Sequence, residues 1–312
     1  MNDPCISIAV CTYNRSAILL GCLNSLTEQD IGREIFEILI IDNKSTDHTR
    51  DLAMRFVNKY ENIRLIYEEK QGLGNARNRG WQEARGEYVA YIDDDAQAHR
   101  DWVSEMYNFI LRHPEVQSFG GPSFPFSLVE LPDWMPAGFG KIYLGEKERP
   151  IRFGREWIIG CNMVFTKSIL REFGGFKSDI GMTGSKISYG EEIELFRRIG
   201  SKEETVYYVP SMKVDHFIPY ERVKVSWLFK SYYARGRSKA RRNNILLPFY
   251  RVLIRFFMRI IRAPIIIISN QDRSLKGRMI DASIPIVSGL GMVIERIMIG
   301  LGFEHIERVW KV

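Results

Sequence analysis

The chain has 312 residues, 45% of them hydrophobic and 26% charged, which excludes a disordered or fibrous protein and allows one large domain with an appendage or two modest domains. Its formal net charge of +6 is unevenly spread: residues 222–278 hold fifteen Lys/Arg against the single acid Asp272, a net of +14, and the remainder stands at −8. An acidic body with a strongly basic segment points to a polyanionic surface as partner, either lipid headgroups or nucleic acid.

The four cysteines, Cys5, Cys11, Cys22 and Cys161, have no metal-ligand spacing and read as reduced thiols. Met1-Asn2-Asp3-Pro4 lacks the basic flank and apolar core of a secretory signal, and no uncharged apolar run reaches the roughly 18 residues of a bilayer span. A cytoplasmic setting is therefore expected.

Ile6-Ser7-Ile8-Ala9-Val10 reads as a first strand, ending in Cys11-Thr12-Tyr13-Asn14-Arg15. A helix follows with Leu19, Leu20, Leu23 and Leu26 on one face. Glu37-Ile38-Leu39-Ile40-Ile41 is a second strand and ends on Asp42-Asn43-Lys44-Ser45-Thr46-Asp47. A helix bearing Leu52, Phe56 and Val57 leads to a third strand, Ile63–Tyr67. Gly72-Leu73-Gly74-Asn75-Ala76-Arg77-Asn78-Arg79-Gly80 then opens a helix, and a fourth strand in the segment from Gly86 through Tyr91-Ile92 ends in Asp93-Asp94-Asp95.

Strand–helix alternation at this spacing gives an α/β fold with a parallel sheet, and ligands of such sheets bind outside the carboxyl ends of the strands. Thr12, Asp42 and Asp93–Asp95 all fall at those ends. Like charges about 4 Å apart repel by about 4 kcal/mol at the effective dielectric of a protein surface, so three adjacent carboxylates call for a neutralising cation. Oxygen ligands suit Mg²⁺ or Mn²⁺. The alternative is a solvated acidic turn before the helix from Asp101. Asp42 likewise has a local reading, as a turn-forming carboxylate.

Taken in order, Cys11–Arg15, Ile41–Asp47, Gly72–Gly80 and Asp93–Asp95 resemble the successive motifs of family 2 glycosyltransferases, over roughly residues 5–240. The resemblance implies a GT-A fold, with a mixed, mostly parallel sheet and flanking helices. It also implies a nucleotide-diphosphate sugar donor, UDP by default, and inversion at the anomeric carbon. By the same resemblance Thr12, Tyr13 and Arg15 line the nucleotide pocket and Asp42 accepts from the base. Arg79 lies near the diphosphate, Asp93 and Asp94 contact the donor, and Asp93 and Asp95 hold the metal. Both Arg77 and Arg79 follow a glycine-rich turn at a helix start, a setting that favours anions.

The second half supplies the acceptor side. Residues 121–150 carry five prolines among aromatics that include Trp134 and Phe139, a long loop that is either a lid or an ordered insertion. Trp157–Phe165 reads as a strand with a glycine inside it, which permits close approach of a ligand or of backbone. The family places this segment beside the donor sugar, making Gly160 and Asn162 candidates. Glu191 and Glu192 open a helix, where acids are favourable. They also resemble the family's Glu-Asp motif, whose second carboxylate takes the acceptor proton. Glu192 is thus the expected base, one methylene longer than the family's Asp, with Glu191 the alternative. His216, closing the strand Val214-Asp215-His216, occupies a position where members of the fold place a metal-binding histidine.

From Phe249 to Ala263, Arg251, Arg255, Arg259 and Arg262 recur every three to four residues among aliphatics, giving a helix with an arginine stripe and a wide apolar face. Residues 282–303 are also apolar, interrupted by Glu295 and Arg296. These features predict a GT-A domain over 1–243 and a helical, membrane-associating segment over 244–312. The aliphatic spacing favours an anionic membrane surface on the inner face of the cell membrane over nucleic acid. The alternative occupant of the apolar face is the catalytic domain or a second subunit of a homo-oligomer. The whole reads as a metal-dependent inverting glycosyltransferase acting on a glycan or lipid-linked acceptor. An inactive membrane scaffold and a sugar nucleotidyltransferase are the competing readings; the latter wants a glycine-rich loop after the first strand, which Cys11–Arg15 does not offer.

Overall fold

The computed structural model describes residues 3–184, 187–200, 206–242 and 248–301. The chain divides into two compact units, one of Met1–Phe126, Gly140–Asp179 and Glu191–Phe217, the other of Ser127–Phe139, Ile180–Gly190 and Ile218–Val312. The expected domain boundary at 243/244 and the end of the last apolar stretch, at 302–303, lie outside the described residues.

The first unit is built on β1 (Ile6–Thr12), β2 (Phe36–Asp42), β3 (Ile63–Tyr67) and β4 (Tyr88–Asp93), which pair in parallel in the order β3-β2-β1-β4. β2 is buried throughout, and its apolar run Ile38–Ile41 suits a parallel strand covered on both faces. Alternate side chains then serve two cores. Ile6, Ile8, Val10, Ile38, Ile40, Ala90 and Ile92 pack under α1 (Ser16–Thr27), α2 (Thr49–Lys59) and α4 (Trp102–Arg112). Ala9, Leu39, Ile41, Val89 and Tyr91 pack under α3 (Leu73–Glu83), α5 (Lys167–Glu172) and α6 (Glu191–Ile199). On α1 the inward face uses Cys22 and leaves Leu20 outside, 45% exposed.

Beyond β4 the sheet turns antiparallel. β9 (Met163–Thr166) runs against β4 and β6 (Ser118–Gly120), and β10 (Tyr207–Tyr208) and β8 (Arg149–Pro150) complete the edge. The strand expected over 157–165 is only its last part, because Asn162 N–H closes a turn on the Ile159 carbonyl at 3.1 Å. A second sheet places β11 (Val214–Phe217) between β5 (Ala96–Ala98) and β7 (Ser123–Phe126).

The second unit holds α7 (Val225–Arg242), α8 (Phe249–Ser269) and α9 (Leu275–Gly300). Two cores sustain it, one around Trp134, Met135, Leu228 and Ile280 and one joining Ala240, Val252, Met292 and Val293. Despite Glu295 and Arg296, which argued against a span, α9 is long and apolar enough to cross a membrane, with a mean hydropathy of 1.6 over its best 18 residues. Its Glu295, however, is a buried carboxylate held by Arg237 and Arg241 of α7, each at 2.5 Å. Such a fork is the partnering a buried charge demands, and it registers α9 on α7.

The two sheets of the first unit are tied at Asn162. Its Oδ1 accepts from Trp102 Nε1 at 2.9 Å, and its Nδ2 donates to the carbonyls of Pro122 at 2.8 Å and Met212 at 2.6 Å. Replacing it with Leu would leave Trp102 Nε1 and the Met212 carbonyl unpartnered, at about 1–3 kcal/mol each, and would take one of two bonds from the Pro122 carbonyl, which keeps Val214 N–H at 3.4 Å. The expected result for Asn162→Leu is a loss of about 3 kcal/mol or more in denaturant unfolding, with an unchanged slope against denaturant concentration.

Candidate active site

Parallel pairing brings the strand ends level. Thr12 stands opposite Asp42, and Cys11 opposite Asp93. The loops leaving β1 and β2 are knitted together: Asn14 Oδ1 accepts from Thr46 N–H at 2.7 Å, Ser45 Oγ accepts from Asn14 N–H at 2.9 Å, and Thr49 Oγ1 accepts from Arg15 N–H at 3.0 Å. Asn43 reaches further. Its Oδ1 accepts from Gly72 N–H at 2.8 Å while its Nδ2 donates to the carbonyls of Glu68 and Lys70, fixing the start of α3.

Of the three adjacent acids, Asp94 and Asp95 are buried and Asp93 is partly exposed. Antiparallel pairing of β11 with β5 sets His216 opposite Ala96, so its Nε2 lies 2.9 Å from Asp95 Oδ1. Asp93, Asp95 and His216 each offer a ligand atom within 4.8 Å of the others. Two carboxylates and an imidazole form a donor set that suits Mn²⁺ better than Mg²⁺. Arg15 Nη1 meets Asp95 Oδ2 at 3.3 Å. Burial is the main cause that pushes the Asp94 carboxyl up to about 7, against the lowering influence of Arg15.

A second charged group adjoins the first. Arg77, with 3% of its side chain exposed, places Nη1 2.6 Å from Glu191 Oε1 and Nη2 3.3 Å from Asp93 Oδ1. The guanidinium passes directly against Gly160, where a β-carbon would come within 2.7 Å of Nη2, so glycine is required there for close approach. Burial and the neighbouring Glu192 push the Glu191 carboxyl up to about 7, outweighing Arg77. Its Oε2 is buried without a hydrogen-bond partner. Glu192, next along the helix, is half-buried.

The other sequence candidates fall as follows. Thr12 is buried and Tyr13 half-buried at the β1 end. Asp42 is buried, its Oδ1 accepting from Ser45 N–H at 2.9 Å in a local turn, and it lines a cleft of about 170 Å³ with Arg50, Met54, Val57, Leu65 and Tyr67. Arg79 points along α3 and pairs with Glu83 at 2.9 Å. The arginine brought to the acids is Arg77, named in sequence only alongside Arg79. Asn162 directs its side chain wholly into the scaffold. Tyr67 carried no sequence signal beyond its place at the end of β3, and Arg50, at the start of α2, carried none.

The sequence model described as glycosyl transferase family 2 matches residues 7–174, more than half of the chain. The chain belongs to this family. Among relatives, it is 26% identical to the glucosyl-dolichyl phosphate glucuronosyltransferase of Haloferax volcanii over 241 residues, covering 75% of this chain and 76% of that one. Glycosyltransferase AglE of the same organism is 34% identical over 101 residues, 32% of this chain and 33% of AglE. Putative glycosyltransferase EpsH of Bacillus subtilis is 36% identical over 107 residues, 34% of this chain and 29% of EpsH, so the chain spans about a third of the length of these two relatives. Among solved structures, S. aureus TarS 1-349 with UDP-GlcNAc superposes at a TM-score of 0.56 with 15% identity, covering 95% of this chain and 92% of that one. Mannosyltransferase PcManGT from Pyrobaculum calidifontis with GDP-Man and Mn²⁺ gives a TM-score of 0.56 at 15% identity, over 98% and 76%. The glycosyltransferase fold is thus GT-A, as the motif order implied.

A carboxyl raised above its unfolded value of about 4.5 binds its proton more tightly in the folded chain. Stability from Glu191 is therefore complete below about pH 4.5 and lost as pH rises through about 7. Unfolding free energies measured from pH 5 to 8 are expected to fall more steeply for the wild type than for Glu191→Gln, whichever is the more stable; parallel curves would contradict the assignment.

Proposed function

We propose that this family member is an inverting glycosyltransferase that moves a sugar from a nucleotide-diphosphate donor to a hydroxyl of a glycan or lipid-linked acceptor. The observation that carries the reading is the meeting of Asp93, Asp95 and His216 at the carboxyl edge of the sheet, beside the Arg77–Glu191 pair. UDP-GlcNAc and GDP-Man are the ligands of the TarS and PcManGT structures, which supports a nucleotide-sugar donor, with UDP preferred here. The relatives' acceptors, such as glucosyl-dolichyl phosphate, support a lipid-linked one.

The donor nucleotide binds across the ends of β1, β2 and β4. Asp42 accepts from the base edge beside its cleft, Thr12 and Tyr13 border the nucleoside, and Asp93 and Asp94 face the ribose and diphosphate. Asp93, Asp95 and His216 would hold Mn²⁺ or Mg²⁺, which when bound neutralises charge developing on the nucleoside diphosphate. Arg15, beside Asp95, takes the cationic role at the phosphates, since Arg79 is spent on Glu83.

Of the paired acids, Glu191 is enclosed and held by Arg77, which leaves Glu192 as the base. As the acceptor oxygen bonds to the anomeric carbon, its proton passes to Glu192. The bond from that carbon to the diphosphate oxygen breaks, and its electron pair leaves with the nucleotide. Attack opposite the leaving group inverts the centre through an oxocarbenium-like state. The arginine-rich α8 places the enzyme at an anionic membrane surface, where a lipid-linked acceptor is presented.

Two measurements test this reading. Glu192→Gln is expected to lower transfer by about 10³-fold while leaving nucleotide affinity within about twofold; a general base contributes about 10²–10⁴. Retained turnover would refute the role. Asp95→Asn is expected to weaken nucleotide binding in Mn²⁺ but to match the wild type in excess chelator, measured by calorimetry across a panel of nucleotide sugars.

A further inference from the structure

The basic segment offers more than net charge. α8 carries Arg251, Arg255, Arg259 and Arg262 and no acid, and among the described residues none of the four faces a carboxylate partner. Arg255, Arg259 and Arg262, with Met258, line one cleft of about 280 Å³. All four side chains come from α8, and Arg259 among them is held by α9. α8 packs on α9 through Val252 against Met292 and Val293. The half-buried Arg259 lies over Gly289, where a β-carbon would come within 2.7 Å of its Nη1, and that nitrogen donates to the Pro285 carbonyl at 3.1 Å. Burial, and then the charge of Arg255, hold Arg259 below the usual arginine range.

At 3.6 residues per turn the arginines form one stripe, and Ile254, Phe257, Ile261, Ile265 and Ile268 fall on the stripe beside it. All five of those side chains are more than half exposed. An apolar stripe flanked by arginines matches the boundary between acyl chains and headgroups, where long basic side chains reach up to the phosphates.

We propose that the Arg255–Arg259–Arg262 cleft binds the phosphate of an anionic phospholipid headgroup, with α8 lying in the bilayer plane and its exposed isoleucines and Phe257 entering the acyl boundary. The proposal rests on the membrane-surface reading given above and assigns it a site. The spacing of aliphatics between the arginines leaves few rings for base stacking, which sets nucleic acid aside.

The test uses the full-length chain and flotation with vesicles of phosphatidylcholine alone or with about one quarter phosphatidylglycerol. Binding is expected only to the anionic vesicles. Arg255→Gln with Arg262→Gln should weaken it by about thirty-fold, from about 1 kcal/mol per charge. Arg255→Lys with Arg262→Lys keeps the charge but loses the planar fork, and should still weaken binding by about fivefold. Wild-type affinity in the lysine variant would overturn the cleft, as would equal or tighter binding of a single-stranded oligonucleotide. Ile261→Asp with Ile265→Asp separates the two claims. If it releases the protein while both arginine variants bind normally, the membrane reading stands and the cleft falls. If the wild type does not float with anionic vesicles, both fall. Far-UV circular dichroism of each variant confirms that helix content is intact.

Discussion

Arg77 carries a full positive charge into a place with almost no water. Moving such an ion from solvent costs several kcal/mol, and only close, well-formed partners offset it. Here they come from three parts of the chain: Glu191 at the start of α6, Asp93 at the end of β4 and the Gly160 carbonyl before β9. The Phe176 ring lies 5.5 Å from the guanidinium carbon, and Tyr91 O–H donates to the Arg77 carbonyl. A single side chain therefore sets where the acidic edge of the sheet stands relative to the helix that bears the paired glutamates.

The same arrangement gives the two adjacent glutamates different work. Glu191 is consumed in holding Arg77, and the strain of its burial is expressed in a raised carboxyl. Glu192 inherits the backbone position that results. Of the two acids in succession, Glu191 fixes the frame through Arg77, while Glu192 stays half-buried beside it.

Much of the fold could be read from the sequence because its signals are local. Continuous apolar runs ending in polar residues marked β1, β2 and β4, and those ends are where the site lies. What could not be read depends on tertiary context. Arg77 and Arg79 are two residues apart, about 200° around a helix, so they point to opposite faces and nothing local says which face meets the acids. Asn162 sits in a glycine-containing segment suited to a ligand, yet its amide serves Trp102, Pro122 and Met212, a need visible only once two sheets are stacked. Leu20 fits the apolar period of α1 as well as Cys22 does, and packing chose the smaller residue.

Every polar atom of the Asn43 side chain is engaged within the protein. Its backbone N–H donates to Thr12 at 2.9 Å, and its amide clasps the backbone at 68, 70 and 72. The residue beside Asp42 is therefore a rivet through three loops at once. The end of β2 that bears Asp42 and the helix that carries Arg77 cannot drift apart independently, so any closure of this edge must move them as one plate and draw its flexibility from elsewhere in the chain.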